Sequence, residues 1–208
     1  MIFLYGDSHA NFSFSSLPYP HSNLYSSSVT MFRVGRDKVI PNFDCRMHNS
    51  QSILCFAYGE VDCRCHVQRQ INLGRNEEDV INELSHNYIN AVRTCVKDRR
   101  LVIIVAVIPP TKQSDYESIN GPILHEFPFI GSDEQRVRYT KKLNQTLRAL
   151  CEENGFVFFD PYTHYTDASG CLRYELSDKL VHIKDNRRFL EEFTQLLWEH
   201  LPERRTQG

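Results

Sequence analysis

The 208 residues are 41% hydrophobic and 24% charged, enough apolar material to bury a core without disulfide or metal staples. Against 26 Asp and Glu stand 24 Lys and Arg, and the formal net charge of -2 gives no drive toward nucleic acid or an anionic membrane. No apolar run approaches the ~20 residues that a membrane-spanning helix needs, so the expected partner is a small neutral or amphipathic molecule.

Met1-Ile2-Phe3-Leu4-Tyr5 reads as a buried strand, and Gly6-Asp7-Ser8-His9 turns directly out of it. A serine there stands at the carboxyl end of a strand, where open α/β sheets place their ligands. Gly6 permits the sharp turn, Asp7 is a capping residue for the next segment, and amides near Ser8 are aimed where an oxyanion would develop. Ala10 to Ser28, rich in Ser, Asn, Pro and aromatics, is expected to be an irregular loop after at most a short helix. Its Phe12, Phe14, Tyr19 and Tyr25 either line a pocket or tuck onto the core. Val29 to Val34 alternates in the manner of a strand and ends at Gly35-Arg36-Asp37.

Ser52 to Tyr58 is a near-continuous apolar run, the pattern of a strand covered on both faces. It delivers Gly59-Glu60-Val61-Asp62-Cys63-Arg64-Cys65-His66, the densest polar cluster of the chain, to the edge that carries Ser8. Arg64 reads equally as a ligand for an oxyanion or a substrate carboxylate and as a structural partner; Asp62 either holds that loop or its arginine, or caps the following segment. Cys63, Cys65 and His66, with Cys45 and His48 upstream, lack the repeated paired spacing of structural zinc sites and read better as reduced thiols packed beneath the loop. No metal is expected.

Glu77 to Val96 carries an apolar stripe at helical spacing, with Glu77, Glu78 and Asp79 at its front and Lys97 to Arg100 closing it. Leu101 to Ile108 is a strand stopped by Pro109-Pro110. Thr111 to Ser132 shows no periodicity and is placed as a substrate-selecting loop. Ser132-Asp133-Glu134-Gln135 opens a helix running to about Glu153. Gly155 to Asp160 forms the last strand, and Lys184 to His200 an amphipathic helix. This alternation calls for a three-layer α/β/α sandwich around a parallel sheet of about five strands. A single domain over residues 1–201, followed by a frayed tail at 202–208, is the expected organisation.

Gly6-Asp7-Ser8, Gly35, Gly59-Glu60-Val61-Asp62 and Asp178 to His182 stand in the order of the four blocks of the SGNH or GDSL hydrolases, which the chain resembles over nearly its whole length. The resemblance implies a flavodoxin-like sheet and a serine esterase that needs no cofactor. Ser8 would be the nucleophile, His182 the base and Asp178 the acid that orients it, with the Gly35 amide and a donor from the third block holding the oxyanion. Two positions depart from the pattern. The third-block asparagine is Val61, which has no side-chain donor, leaving Arg64, Arg36, His9 or backbone amides to serve. Loss of one such donor costs about 100- to 1,000-fold in rate. Asp178 precedes His182 by four residues instead of three, so Asp185, Glu175 or a Ser-His dyad remain alternatives.

Among nine histidines, His66, His125 and His164 compete with His182, whereas His9 adjoins Ser8 and cannot easily reach its hydroxyl. The implied substrates are small acyl esters, including acetyl groups on carbohydrates. The same constellation serves transfer of an acyl group to a sugar hydroxyl, and the fold without turnover would be a carbohydrate-binding module. Seven scattered cysteines and the absence of a recognisable secretory segment lead to the expectation of free thiols in a reducing cytoplasm.

Overall fold

Continuous apolar runs need cover on both faces, and the chain meets that need with a wholly parallel sheet. In the computed structural model, which describes residues 1–96, 101–124 and 127–201, the strands are β1 (Ile2–Gly6), β2 (His21–Asn23), β3 (Ile53–Ala57), β4 (Leu101–Val105) and β5 (Val157–Phe159). Their order is β2-β1-β3-β4-β5, and every neighbouring pair is parallel. Helices α1 (Ser8–Ser13), α2 (Met31–Asp37), α3 (Val67–Asn72), α4 (Glu77–Cys95), α5 (Gln113–Asn120), α6 (Asp133–Asn154), α7 (Tyr162–Tyr165) and α8 (Arg187–His200) complete the described elements.

Alternate strand residues enter two separate cores, as the two-residue period of a strand requires. Phe3, Tyr5, Leu54, Phe56, Val102 and Ile104 pack beneath α2, α4 and α6. Ile2, Leu4, Ile53, Cys55, Ile103 and Val105 pack with Phe14 and Leu17 beneath α8, which contributes Phe189, Phe193 and Leu197. Helix α6 begins in the expected capping box: the Ser132 hydroxyl accepts the Gln135 amide at 3.3 Å, and the Gln135 side chain accepts the Ser132 amide at 2.8 Å. The seven cysteines are free, and Cys55, Cys63, Cys65, Cys151 and Cys171 are buried.

Three expectations need correction. Val29 to Val34 is not a strand: Thr30 caps α2 by accepting the Arg33 amide at 3.0 Å, and the buried residues Met31, Val34 and Gly35 follow helical spacing. Apolar alternation over so short a run fits either period, and the cap decides. The second strand is instead His21–Asn23, in the segment read as loop; it pairs with Ile2–Leu4 as a half-buried edge strand, which explains its polar residues. Thr111 to Ser132 contains α5, whose residues are none of them buried, so no apolar stripe marked it. Lys97 to Arg100, His125 and the tail from Pro202 lie outside the described residues.

The corrected α2 changes the meaning of Gly35. It lies inside the helix where α2 crosses α4, and a Cβ there would stand 2.8 Å from the Asn87 Cβ and 3.0 Å from the Asn87 backbone carbon. Its amide is taken up in the helix and is no free donor for an oxyanion. Gly35→Ala is therefore expected to lower stability by about 1–3 kcal/mol through overpacking, measured by urea unfolding. An unchanged midpoint would contradict the close crossing.

Candidate active site

The chain leaves β1 for β2 on one side and returns to β3 on the other, so the topological switch point lies between β1 and β3. Ligand sites of open parallel sheets lie there, outside the carboxyl ends of the strands. Ser8 follows β1 directly as the first residue of α1. Asp7 caps that helix, its Oδ1 accepting the His9 amide at 2.8 Å. The Ser8 amide, in the first turn, has no acceptor within the helix.

His182 arrives from the far end of the chain. Its Nε2 lies 2.9 Å from the Ser8 Oγ, and its Nδ1 lies 2.7 Å from the Asp178 Oδ2. The extra residue between Asp178 and His182 is absorbed in a closed turn: Asp178 Oδ1 accepts the amides of Leu180 (2.8 Å) and His182 (3.1 Å), and the Asp178 amide donates to the His182 carbonyl (3.0 Å). One carboxylate oxygen thus holds the turn and the other the ring. Burial opposes the Asp178 charge, but these hydrogen bonds outweigh it and keep the carboxyl below its ordinary range. Asp185 instead pairs with Arg187 and Glu175 with Arg173.

Two rings of α1 lie against the His182 imidazole. Phe12 stacks on it at 4.1 Å and 17°, and His9 approaches at 4.6 Å and 46°. His9 is tied through its Nε2 to Glu60 Oε2 at 3.1 Å, and the Arg64 Nε lies 3.1 Å from Glu60 Oε1. Arg64 also donates through Nη1 to the Phe127 carbonyl at 3.0 Å, while its own carbonyl accepts the Ile130 amide at 3.0 Å. Burial opposes the Glu60 charge, yet Arg64 and His9 bring its carboxyl down to about 2. Burial likewise opposes the His9 charge, and Asp7 and Glu60 more than offset it, so its pKa is raised.

Gly59 and Asp62 serve the frame of this cluster. Gly59 adopts φ +123°, and a Cβ would fall 2.7 Å from Val107 Cγ2 and 2.8 Å from Met31 Cε, so only glycine makes this turn. Asp62, fully buried in one π-helical turn (Asp62–His66), accepts the Met31 amide at 2.7 Å and the Phe32 amide at 3.1 Å. It caps α2 from across the fold and makes no bond to Arg64. Val61 is buried and presents no side-chain donor.

Not every expected residue belongs here. Gly35 lies in α2, and Arg36 is exposed on the same helix, paired with Asp37 at 2.7 Å, so neither joins Ser8. The loop after the true second strand contains no glycine; within it Ser28 takes the left-handed conformation, φ 62°. His66 packs on Phe32 at 4.3 Å, and His164 lies against Tyr165. Among the described residues no group of three or more metal-ligating side chains comes together. Glu60 is the central residue that sequence reasoning left without a role. Its four-residue spacing from Arg64 on a helical turn was the available signal.

Asp62 has amides but no cation as partners, so burial dominates and raises its carboxyl to about 7. The folded chain holds this proton where the unfolded carboxyl, near 3.9, has lost it; stability therefore falls as pH rises from about 4 to about 7 and then levels off. Asp62→Asn, which cannot ionise, is expected to cost about 2 kcal/mol more at pH 5 than at pH 8 in urea unfolding. Equal costs at the two pH values would mean that Asp62 titrates as a solvated carboxyl.

No family model and no curated protein matches the chain. Solved structures do match. A Streptococcus pneumonia protein with the provisional description platelet activating factor superimposes with a TM-score of 0.64 at 13% identity, covering 96% of this chain and 83% of that one. A GDSL-like lipase from Bacteroides thetaiotaomicron gives 0.53 at 14%, covering 96% and 88%. A carbohydrate acetylesterase from Sinorhizobium meliloti gives 0.56 at 14%, covering 96% and 99%. The parallel five-stranded sheet and these near full-length likenesses show that the chain has the SGNH/GDSL hydrolase fold.

Proposed function

We propose that the protein is a serine esterase acting on small acyl esters, with acetylated carbohydrates as the first class to test. The observation that carries this reading is the unbroken chain Ser8 Oγ to His182 Nε2 (2.9 Å) and His182 Nδ1 to Asp178 Oδ2 (2.7 Å). A serine hydroxyl becomes a nucleophile when a positioned base takes its proton, and a carboxylate behind the base fixes its tautomer.

In the reaction His182 Nε2 accepts the Ser8 proton as Oγ bonds to the ester carbonyl carbon. The resulting oxyanion is held by the Ser8 amide, since Val61 offers no side chain for this purpose. The intermediate collapses, the carbon to alkoxide bond breaks, and the departing oxygen takes the proton from His182. Water then attacks the acyl carbon as His182 takes its proton, the bond from that carbon to Ser8 Oγ breaks, Oγ recovers the proton from His182, and the acid is released. Asp178 stabilises the imidazolium throughout. The carbohydrate preference is supported by the likeness to the Sinorhizobium acetylesterase. Seven free thiols support work in a reducing compartment such as the cytoplasm.

The test is hydrolysis of an aryl acetate by wild type, Ser8→Ala, His182→Ala and Asp178→Asn, with mass spectrometry of a fluorophosphonate adduct. Ser8→Ala and His182→Ala are expected to lose activity by about 10⁴-fold or more, and Asp178→Asn by about 10²- to 10⁴-fold. A wild-type protein that hydrolyses nothing and leaves Ser8 unmodified would defeat the esterase reading, leaving acyl transfer to a specific acceptor or carbohydrate binding.

A further inference from the structure

Asp178 restrains the His182 ring at one nitrogen only. What else fixes the imidazole comes from α1, the helix that begins with Ser8: His9 and Phe12, three residues apart on one helical face, both lie against the ring. Phe12 is partly exposed, whereas His9 is 6% exposed and bonded to a buried carboxylate. That carboxylate, Glu60, is occupied on both oxygens, by His9 and by Arg64. Arg64 ends the series on the backbone at Phe127 and Ile130. A contiguous set of short contacts therefore runs from segment 127–130 through Arg64, Glu60 and His9 to the His182 ring.

We propose that His9, clamped by Glu60 and Arg64 to segment 127–130, is a positioning residue that holds the His182 imidazole in line with Ser8. The proposal rests on the esterase reading of Ser8, His182 and Asp178. The steps of that reaction do not use His9, Glu60 or Arg64, so the burial of these three charged groups needs another reason. Burying charged side chains is costly unless they are paired, and here the pairs converge on one ring. The charged or titratable groups that face His9 are Asp7, Glu60, Arg64 and His182. Of these, Asp7 and Glu60 favour its proton and Arg64 disfavours it, with burial the largest opposing effect and the carboxylates prevailing.

Segment 127–130 is itself firmly seated. Phe129 lies 5.9 Å from the Arg64 guanidinium and 4.9 Å from that of Arg136, and Arg136, fully buried, donates to the Gly131 carbonyl at 2.5 Å. The clamp thus ends on a segment whose Phe129 lies against the buried Arg136, the kind of support a positioning device needs. Misplacement of a catalytic group by about 1 Å costs on the order of 100-fold in rate, which sets the size of effect to look for.

The decisive variant is Glu60→Gln, which keeps shape and removes the charge that holds His9. It is expected to lower kcat by roughly 10- to 100-fold with KM within about threefold of wild type. The loss should grow as pH rises through the range where His9, without its carboxylate, gives up its proton, and Glu60→Asp should restore part of the rate. Circular dichroism and urea unfolding establish that the variant is folded. If folded Glu60→Gln keeps the kcat and pH profile of wild type while Ser8→Ala is inactive, the positioning proposal fails and the esterase reading stands.

A measurement independent of turnover covers the opposite case. Nitrogen-15 imidazole spectra of the full chain should show His9 still protonated above the ordinary histidine range near 6.5. In Glu60→Gln the His9 proton should leave at lower pH, and the low-field His182 Nδ1 proton shared with Asp178 should broaden as the ring loosens. A His9 that titrates ordinarily in wild type, or a His182 resonance untouched in Glu60→Gln, overturns the proposal whether or not any ester is hydrolysed.

Discussion

The pairing of β1 with β3 is the constraint from which the site follows. The two strands stand in register from Ile2 with Ile53 to Gly6 with Ala57, and the Asp7 amide extends the ladder by donating to the Ala57 carbonyl at 3.2 Å. Both segments therefore leave the sheet at the same height. Ser8 and Glu60, far apart in sequence, begin on adjacent turns, and the contact between His9 and Glu60 spans 51 positions without any long loop having to fold over. A slip of register would turn Phe3 and Tyr5 out of one core and Ile2 and Leu4 out of the other, so the hydrophobic pattern that fixes the sheet also fixes the site.

Three buried acids at this edge show how partners decide ionisation. Burial raises Asp62, which has only backbone amides to offset it, and its carboxyl ends near 7. Glu60 is buried as deeply, but two cationic groups bring it to about 2. Asp7 is raised above its ordinary range: burial is the largest influence, and His9 pulls the other way. The residue types are nearly alike, and the difference comes from whether the nearest neighbour carries a full charge or a dipole.

The sheet was largely legible because its central strands are long apolar runs, and a parallel sheet buries both faces of such runs. The edge strand His21–Asn23 was not, since three half-exposed polar residues carry no hydrophobic signal and exist as a strand only through their partner Ile2–Leu4. Helix α2 was misread because Met31, Val34 and the crossing glycine satisfy two periods over so short a stretch, and its other cap, Asp62, lies 31 positions away. At the site, Ser8, Asp178 and His182 could be picked out because an acid, a histidine and a turn serine stood at the ends of recognisable segments. Glu60 could not be ranked from sequence, because its meaning depends on His9 standing opposite it across two strands.

The bond between Ser8 and His182 closes a span of 174 positions. The sheet is complete at Phe159, whereas the histidine is followed at once by α8, whose Phe189 and Phe193 cover the face formed by Ile2 and Leu4. Docking of that last helix and arrival of the base are thus one event. A chain emerging from the ribosome exposes Ser8 174 positions ahead of the imidazole that would activate it, and excision of the segment from His182 through α8 would strip the partner and the cover together. The order of the elements along the chain places the base after every strand of the sheet, so the reactive arrangement forms only on a sheet already made.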